Sequence, residues 1–256
     1  VTIELTNPPI EPCVMLLGID SMSKTIPILE AAKAALDLTA FEFFSEKALQ
    51  HVIEEKNLKR PLESPNNYYT LIEFENFQNT ATEKAMEFFE FCLTEELIAD
   101  GTMSQSTTQA KEIWRLREDI SETISKFIPY KNDISVKVSL IPKFIEAVDN
   151  IVTQAYPDFE IVWFGHIGDG NVHLNILKPE ATPPTEFYEK CSKVSPKIFK
   201  IVEDFEGSIS AEHGVGLLKK EFLSFSRSAE EISYLKEIKK IFDPKNIMNP
   251  GKLIDI

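Results

Sequence analysis

Ile161-Val162-Trp163-Phe164-Gly165-His166-Ile167-Gly168-Asp169-Gly170-Asn171-Val172-His173-Leu174-Asn175-Ile176-Leu177 reads as two strands joined by a tight turn. The runs 161–166 and 172–177 are rich in β-branched and aromatic residues. Gly168, Asp169, Gly170 and Asn171 between them form a strong turn signal, because Gly and Asn accept positive φ at little cost. A hairpin there implies an antiparallel sheet, and the flanking sequence supplies its partners.

Upstream, residues 134–138 read as a strand and 142–155 as an amphipathic helix. Downstream come a helix over 186–204 and a short strand over 208–210, so the region runs β-α-β-β-α-β. The N-terminal half has the same order: strand 13–19, helix 24–36, strand 40–44, an excursion with a helix at 46–55 and a polar loop at 57–67, strand 68–74, helix 80–98 and strand 101–106. A helix over 109–127 links the halves, and a helix over 230–242 leads into an irregular tail. The expected fold class is α+β: two ferredoxin-like β-α-β-β-α-β halves with antiparallel sheet, plus extra helices and a C-terminal helical tail. Residues 1–12, with Pro8, Pro9 and Pro12, read as a linker from a longer polypeptide. Residues 13–256 form the folded part, with halves at about 13–107 and 131–212 and a C-terminal helical segment at 213–256. The aromatic run Phe88, Phe89 and Phe91, with Leu93 and Leu97, reads as core packing, because helical spacing puts most of them on a single face. Residues 236–240 read as a solvated face.

A chain of 256 residues can bury a substantial core. Its 27 basic and 41 acidic residues give a net charge of −14, which argues against nucleic acid or an anionic membrane as the main partner. Cys13, Cys92 and Cys191 match no zinc or redox spacing and read as reduced and structural, consistent with a cytoplasmic protein, free or peripheral at the membrane. No apolar run approaches the roughly 20 residues of a membrane helix, so no transmembrane segment is expected.

Three of the four histidines fall in two short motifs, the hairpin and Ser210-Ala211-Glu212-His213-Gly214. If the strands pair symmetrically about the turn, His166 faces His173 and two imidazoles can share one divalent ion, with Glu212 adding an oxygen from a separate segment. The alternative is an ordinary cross-strand histidine pair with satisfied hydrogen bonds. A His-His-Glu set leaves coordination positions open, the pattern of a catalytic metal such as zinc or manganese. His213, adjacent to Glu212 but directed elsewhere, is the candidate general base. On the helix over 109–127, Arg117 and Ser121 are i and i+4, where a guanidinium and a hydroxyl could grip a carboxylate together. Spacing alone favours instead a surface Arg117 paired with Glu118 or Glu122.

FGHIGDGNVHLN (164–175), SAEHGVG (210–216) and DPKNIMNPGKL (243–253) together resemble the C-terminal half of FAD-linked 2-hydroxy acid dehydrogenases of the vanillyl-alcohol oxidase superfamily, a group that includes D-lactate dehydrogenases, D-2-hydroxyglutarate dehydrogenases and the glycolate oxidase flavin subunit. The resemblance spans nearly the whole chain. It implies that Arg117 and Ser121 bind the substrate carboxylate, with Ser121 standing where the family pattern has Thr. It also implies that Lys131 lies near the same carboxylate, although its spacing from Arg117 is one residue short, and that Asn175 lies near the substrate. FAD would be held mainly by an N-terminal FAD-binding domain of the same polypeptide, with Asn249 and Lys252 reaching the flavin side. The implied reaction oxidises a small D-2-hydroxy acid to the 2-oxo acid and passes electrons to an acceptor the sequence does not identify; a homodimer is compatible with it. Two other readings stay open: a zinc hydrolase in which Glu212 and His213 activate water, and a non-catalytic, metal-stabilised interaction module.

Overall fold

A computed structural model of the chain describes residues 12–63, 65–75 and 81–256. Most of the linker expected over 1–12, and Thr80 at the expected start of a helix, lie outside them. The chain divides into two units, one containing the residues up to Ser125 together with Phe164–Gly168, the other Lys126–Trp163 and Asp169–Ile256.

The first unit contains β1 (Cys13–Ile19), α1 (Thr25–Ala35), β2 (Leu38–Ser45), α2 (Glu46–Lys56), β3 (Tyr68–Phe74), α3 (Ala81–Thr94), β4 (Asp100–Met103), α4 (Thr107–Glu118) and α5 (Ile120–Ser125). Its strands are antiparallel and ordered β4-β1-β3-β2, the ferredoxin-like order, with α2 inserted as the excursion between β2 and β3. β1 is buried along almost its whole length, which explains its continuous apolar sequence rather than an alternating one. Local chemistry fixes the insertion: the Ser45 side chain accepts from the Ala48 N–H at the start of α2, and Asn57 ends that helix in the left-handed region at φ 50°.

The second unit contains β5 (Tyr130–Ser135), α6 (Ile141–Ala155), β6 (Glu160–His166), β7 (Asn171–Leu177), α7 (Pro184–Asp204) and α8 (Ala229–Phe242). Strand order is β6-β7-β5, and an isolated antiparallel bridge, Ser135 to Ser208, extends it on the far side of β5. The same 4-1-3-2 order is therefore present, with the expected fourth strand at 208–210 reduced to a single bridge. The division between units falls within β6, whose last three residues, 164–166, pair with β2 in the first unit. α6 buries Ile141, Phe144, Ile145, Val148 and Val152, a spacing that repeats every three to four residues and makes one apolar stripe. The turn between β6 and β7 is a short 3-10 segment, Ile167–Asp169, closed by Gly170 at φ +76°. A Cβ at Gly170 would stand 2.3 Å from the Val136 carbonyl oxygen, so only glycine fits there.

Several boundaries differ from the sequence expectation. β5 occupies 130–135 rather than 134–138, because its polar residues Lys131 and Asp133 pair opposite Asn175 and His173 on β7, and a polar strand face hides the usual apolar alternation. The helix expected over 109–127 is divided at Asp119, at φ −72° and ψ −7°, into α4 and α5. α3 ends at Thr94, since Glu96 takes φ 54°; on it Phe88 and Cys92 are buried, while Phe91 and Leu93 are exposed, so these two lie outside the core expected for the run. Among the described residues, no helix is long and apolar enough to cross a membrane.

Candidate active site

In the first unit the site is built on Glu42, a lone carboxylate within the apolar run of β2. Antiparallel pairing sets Glu42 directly opposite His166. Its Oε1 lies 2.8 Å from His166 Nδ1, and its Oε2 lies 3.0 Å from Nη2 of Arg117, which α4 carries. Glu42 and Arg117 are both buried, and the guanidinium also stacks 4.8 Å from the centroid of the Phe164 ring. A buried carboxylate is tolerable only with such partners, because an unpaired charge in that environment costs several kcal/mol, on the order of the whole stability margin of a small domain. Arg117 is thus a buried residue rather than a surface one. Ser121, on α5 beyond Asp119, is exposed.

In the second unit, β5 and β7 pair so that Asp133 faces His173 and Lys131 faces Asn175, and the period of two puts all four side chains on one face. The opposite face, with Val172, Leu174 and Ile176, is fully buried. His173 Nδ1 lies 3.5 Å from Asp133 Oδ1, and its Nε2 lies 3.9 Å from Glu212 Oε1. Asp133 Oδ2 accepts the backbone N–H groups of Ala211, Glu212 and His213 at 3.0, 3.0 and 3.1 Å, and the Ser210 hydroxyl at 3.4 Å. Burial pushes the Asp133 carboxyl up, but the N–H donors of His213 and Glu212 and the neighbouring imidazoles more than offset it, so its pKa falls below the usual carboxylate value. Lys219 Nζ donates to the carbonyls of Asp133 and Ile209, and burial lowers its pKa to about 8 despite the Asp133 charge. His213 is 70% exposed, with its ring centroid 6.3 Å from that of His173 and its Nε2 3.8 Å from Glu212 Oε1.

The remaining expected residues are more dispersed. Asn175 is buried, its amide donating to the carbonyls of His173 and Val162, whereas Lys131 is exposed. Asn249 and Lys252 sit on an exposed turn, where Lys252 Nζ donates to Asn249 Oδ1, and the adjoining Leu253 N–H is tied back to the Gly216 carbonyl. Burial pushes the Cys92 and Cys191 thiols up to about 12, so neither is an activated nucleophile.

Glu42, Asp133 and Lys219 were not singled out from the sequence. A charged residue inside Phe41-Glu42-Phe43-Phe44 was the one available signal, since a carboxylate between buried aromatics needs a partner. In each unit a histidine turns Nδ1 toward a carboxylate, an arrangement that fixes the ring and directs the Nε2 lone pair to a ligand. With the Glu212 oxygen beside His173, this donor chemistry suits a divalent ion, and an exposed imidazole next to it can accept a proton.

Residues 9–253 match the family described as FAD linked oxidases, C-terminal domain. The chain belongs to this family. As an FAD-linked oxidase C-terminal domain it is 50% identical over 252 residues to a D-2-hydroxyglutarate dehydrogenase of Stutzerimonas stutzeri (strain A1501), covering 98% of this chain and 54% of that protein. It is 44% identical to another of that name from Xanthomonas citri pv. viticola, covering 99% of this chain and 54% of the relative. The chain therefore spans about half the length of these curated relatives. In fold, it aligns with 4-ethylphenol oxidase from Gulosibacter chungangensis at a TM-score of 0.67 and 14% identity, over 98% of this chain and 55% of that one. The mixed helix and antiparallel-sheet architecture expected for the family is the one observed.

Proposed function

We propose that this chain is the substrate-binding part of an FAD-dependent dehydrogenase that oxidises a D-2-hydroxy acid to the 2-oxo acid. The names of the two bacterial relatives favour D-2-hydroxyglutarate over lactate or glycolate within that class. His166, His173 and Glu212 are proposed to hold one divalent ion, zinc or manganese. The observation that carries this is the placement of His173, with Nδ1 toward Asp133 and Nε2 toward Glu212, matched by the Glu42 contact to Nδ1 of His166.

When bound, the ion supplies Lewis acidity toward the substrate's hydroxyl and carboxylate oxygens, and FAD, held mainly by the part of the polypeptide outside this chain, supplies the hydride acceptor. Arg117, locked by Glu42 and Phe164, offers a fixed positive charge to the substrate carboxylate. Ser121 and Lys131 are secondary candidates for that anion, and Lys131, on the same strand face as His173 and Asn175, is the better placed for a second carboxylate. His213 accepts the hydroxyl proton at Nε2 as the hydrogen on C2 leaves with its electron pair, giving the C2 carbonyl. Asn175, pinned to two backbone carbonyls, keeps the strand face beneath the substrate rigid. Asn249 and Lys252 are proposed to meet the flavin side. A cytoplasmic location, free or peripheral at the membrane, is part of this proposal.

The test is a panel of D- and L-2-hydroxy acids with an artificial dye acceptor, using the full-length protein. D-2-hydroxyglutarate should reduce the dye fastest, and His213→Ala should lower kcat by about 100-fold or more. No turnover of any 2-hydroxy acid by a flavin-loaded preparation would refute the reading.

A further inference from the structure

We propose that Asp133 is a positioning residue: this one buried carboxylate sets both the tautomer of His173 and the course of residues 211–213, so that the His173 nitrogen and the Glu212-His213 pair are aligned by a single group. The inference deepens the proposed metal-assisted dehydrogenase and rests on it.

Three successive N–H groups, those of Ala211, Glu212 and His213, converge on Asp133 Oδ2, and the Ser210 hydroxyl joins them. These residues belong to no helix or strand, so the carboxylate takes the place of a ladder in satisfying their backbone. Lys219 fastens the same pair of segments from the other side, donating to the Asp133 and Ile209 carbonyls. With Oδ2 held by four donors, the carboxylate cannot turn. Its Oδ1 is buried, has no hydrogen-bond partner among the described residues, and faces His173 Nδ1 at 3.5 Å. A buried orphan acceptor is costly, and a proton on Nδ1 is the group within reach that relieves it. That tautomer leaves the lone pair on Nε2, the nitrogen 3.9 Å from Glu212 Oε1. A loop staple without functional consequence would need only Oδ2; the buried Oδ1 aimed at the ring is what such a staple does not explain.

The experiment uses the full-length protein, stripped of metal, with 15N-labelled histidine at pH 8. Long-range 15N–1H correlation should report His173 as the Nδ1–H tautomer in the wild type and as Nε2–H in Asp133→Asn, whose amide can still accept from the loop while its NH2 turns toward His173. Titration with Zn2+ should give one equivalent bound by the wild type and an affinity about 10- to 100-fold weaker in Asp133→Asn. An Nε2–H tautomer in the wild type overturns the inference even if the variant fails to fold, and so does an unchanged zinc affinity in a folded variant. A wild type that binds no zinc overturns the proposed metal site instead, leaving the tautomer measurement to decide on Asp133.

Discussion

Glu42 and Arg117 illustrate how a single buried residue can bind the site to the core. Each is shielded from water, and Glu42 answers both Arg117 and His166, so removing its charge takes a buried counter-charge from the guanidinium. Glu42→Gln should therefore destabilise the protein by about 3–5 kcal/mol. The double variant Glu42→Gln/Arg117→Met should lose less than the sum of the single changes, which urea unfolding of all three variants would reveal. Asp149 makes the opposite case. Burial raises its pKa from 3.8 to about 6, only partly relieved by the Trp163 indole N–H at 2.6 Å. Because the folded state then holds the proton more tightly, the stability it contributes is full below pH 3.8 and lost as pH rises through about 6. Asp149→Asn keeps an acceptor for Trp163 and should stabilise the protein by on the order of 1–3 kcal/mol at pH 7. Thermal melts should show that gain shrinking toward zero near pH 4.

Among the elements, the turn joining β6 to β7 has little freedom. Gly170 combines positive φ with a carbonyl where a side chain would sit, and its own carbonyl receives the Val136 N–H at 2.9 Å. Gly170→Ala should lower the melting temperature markedly, with a cost of about 2 kcal/mol or more from strain and clash together; a melt unchanged from wild type would contradict this account of the turn. α6 and α7 were legible because a long apolar stripe at helical spacing has no other stable use. β5 was misplaced by four residues for the converse reason, its Lys131 and Asp133 being chosen for what they face on β7. The stop of α3 and the division at Asp119 depend on local backbone geometry that no periodicity announces.

At the scale of the molecule, each unit has a 4-1-3-2 strand order, although in the second the fourth strand survives only as the Ser135–Ser208 bridge. The chain spans about half of its relatives, and the described residues include no glycine-rich phosphate cradle. These 256 residues produced alone should be colourless and unable to reduce a dye with any 2-hydroxy acid. Absorbance near the flavin bands and turnover by such a preparation would overturn the assignment of FAD binding mainly to the rest of the polypeptide.

Sequence alone determined the hairpin, the repeated element order and the clustering of His166, His173, Glu212 and His213 in two motifs, because turn chemistry, residue periodicity and motif spacing are local properties of the chain. Only the tertiary structure decided that Glu42 backs His166 and Arg117, and that Asp133 gathers residues 210–213 beside His173. Those partners lie 124 and about 80 residues apart along the chain, and pairing over such separations is set by strand register and burial rather than by any neighbouring residue.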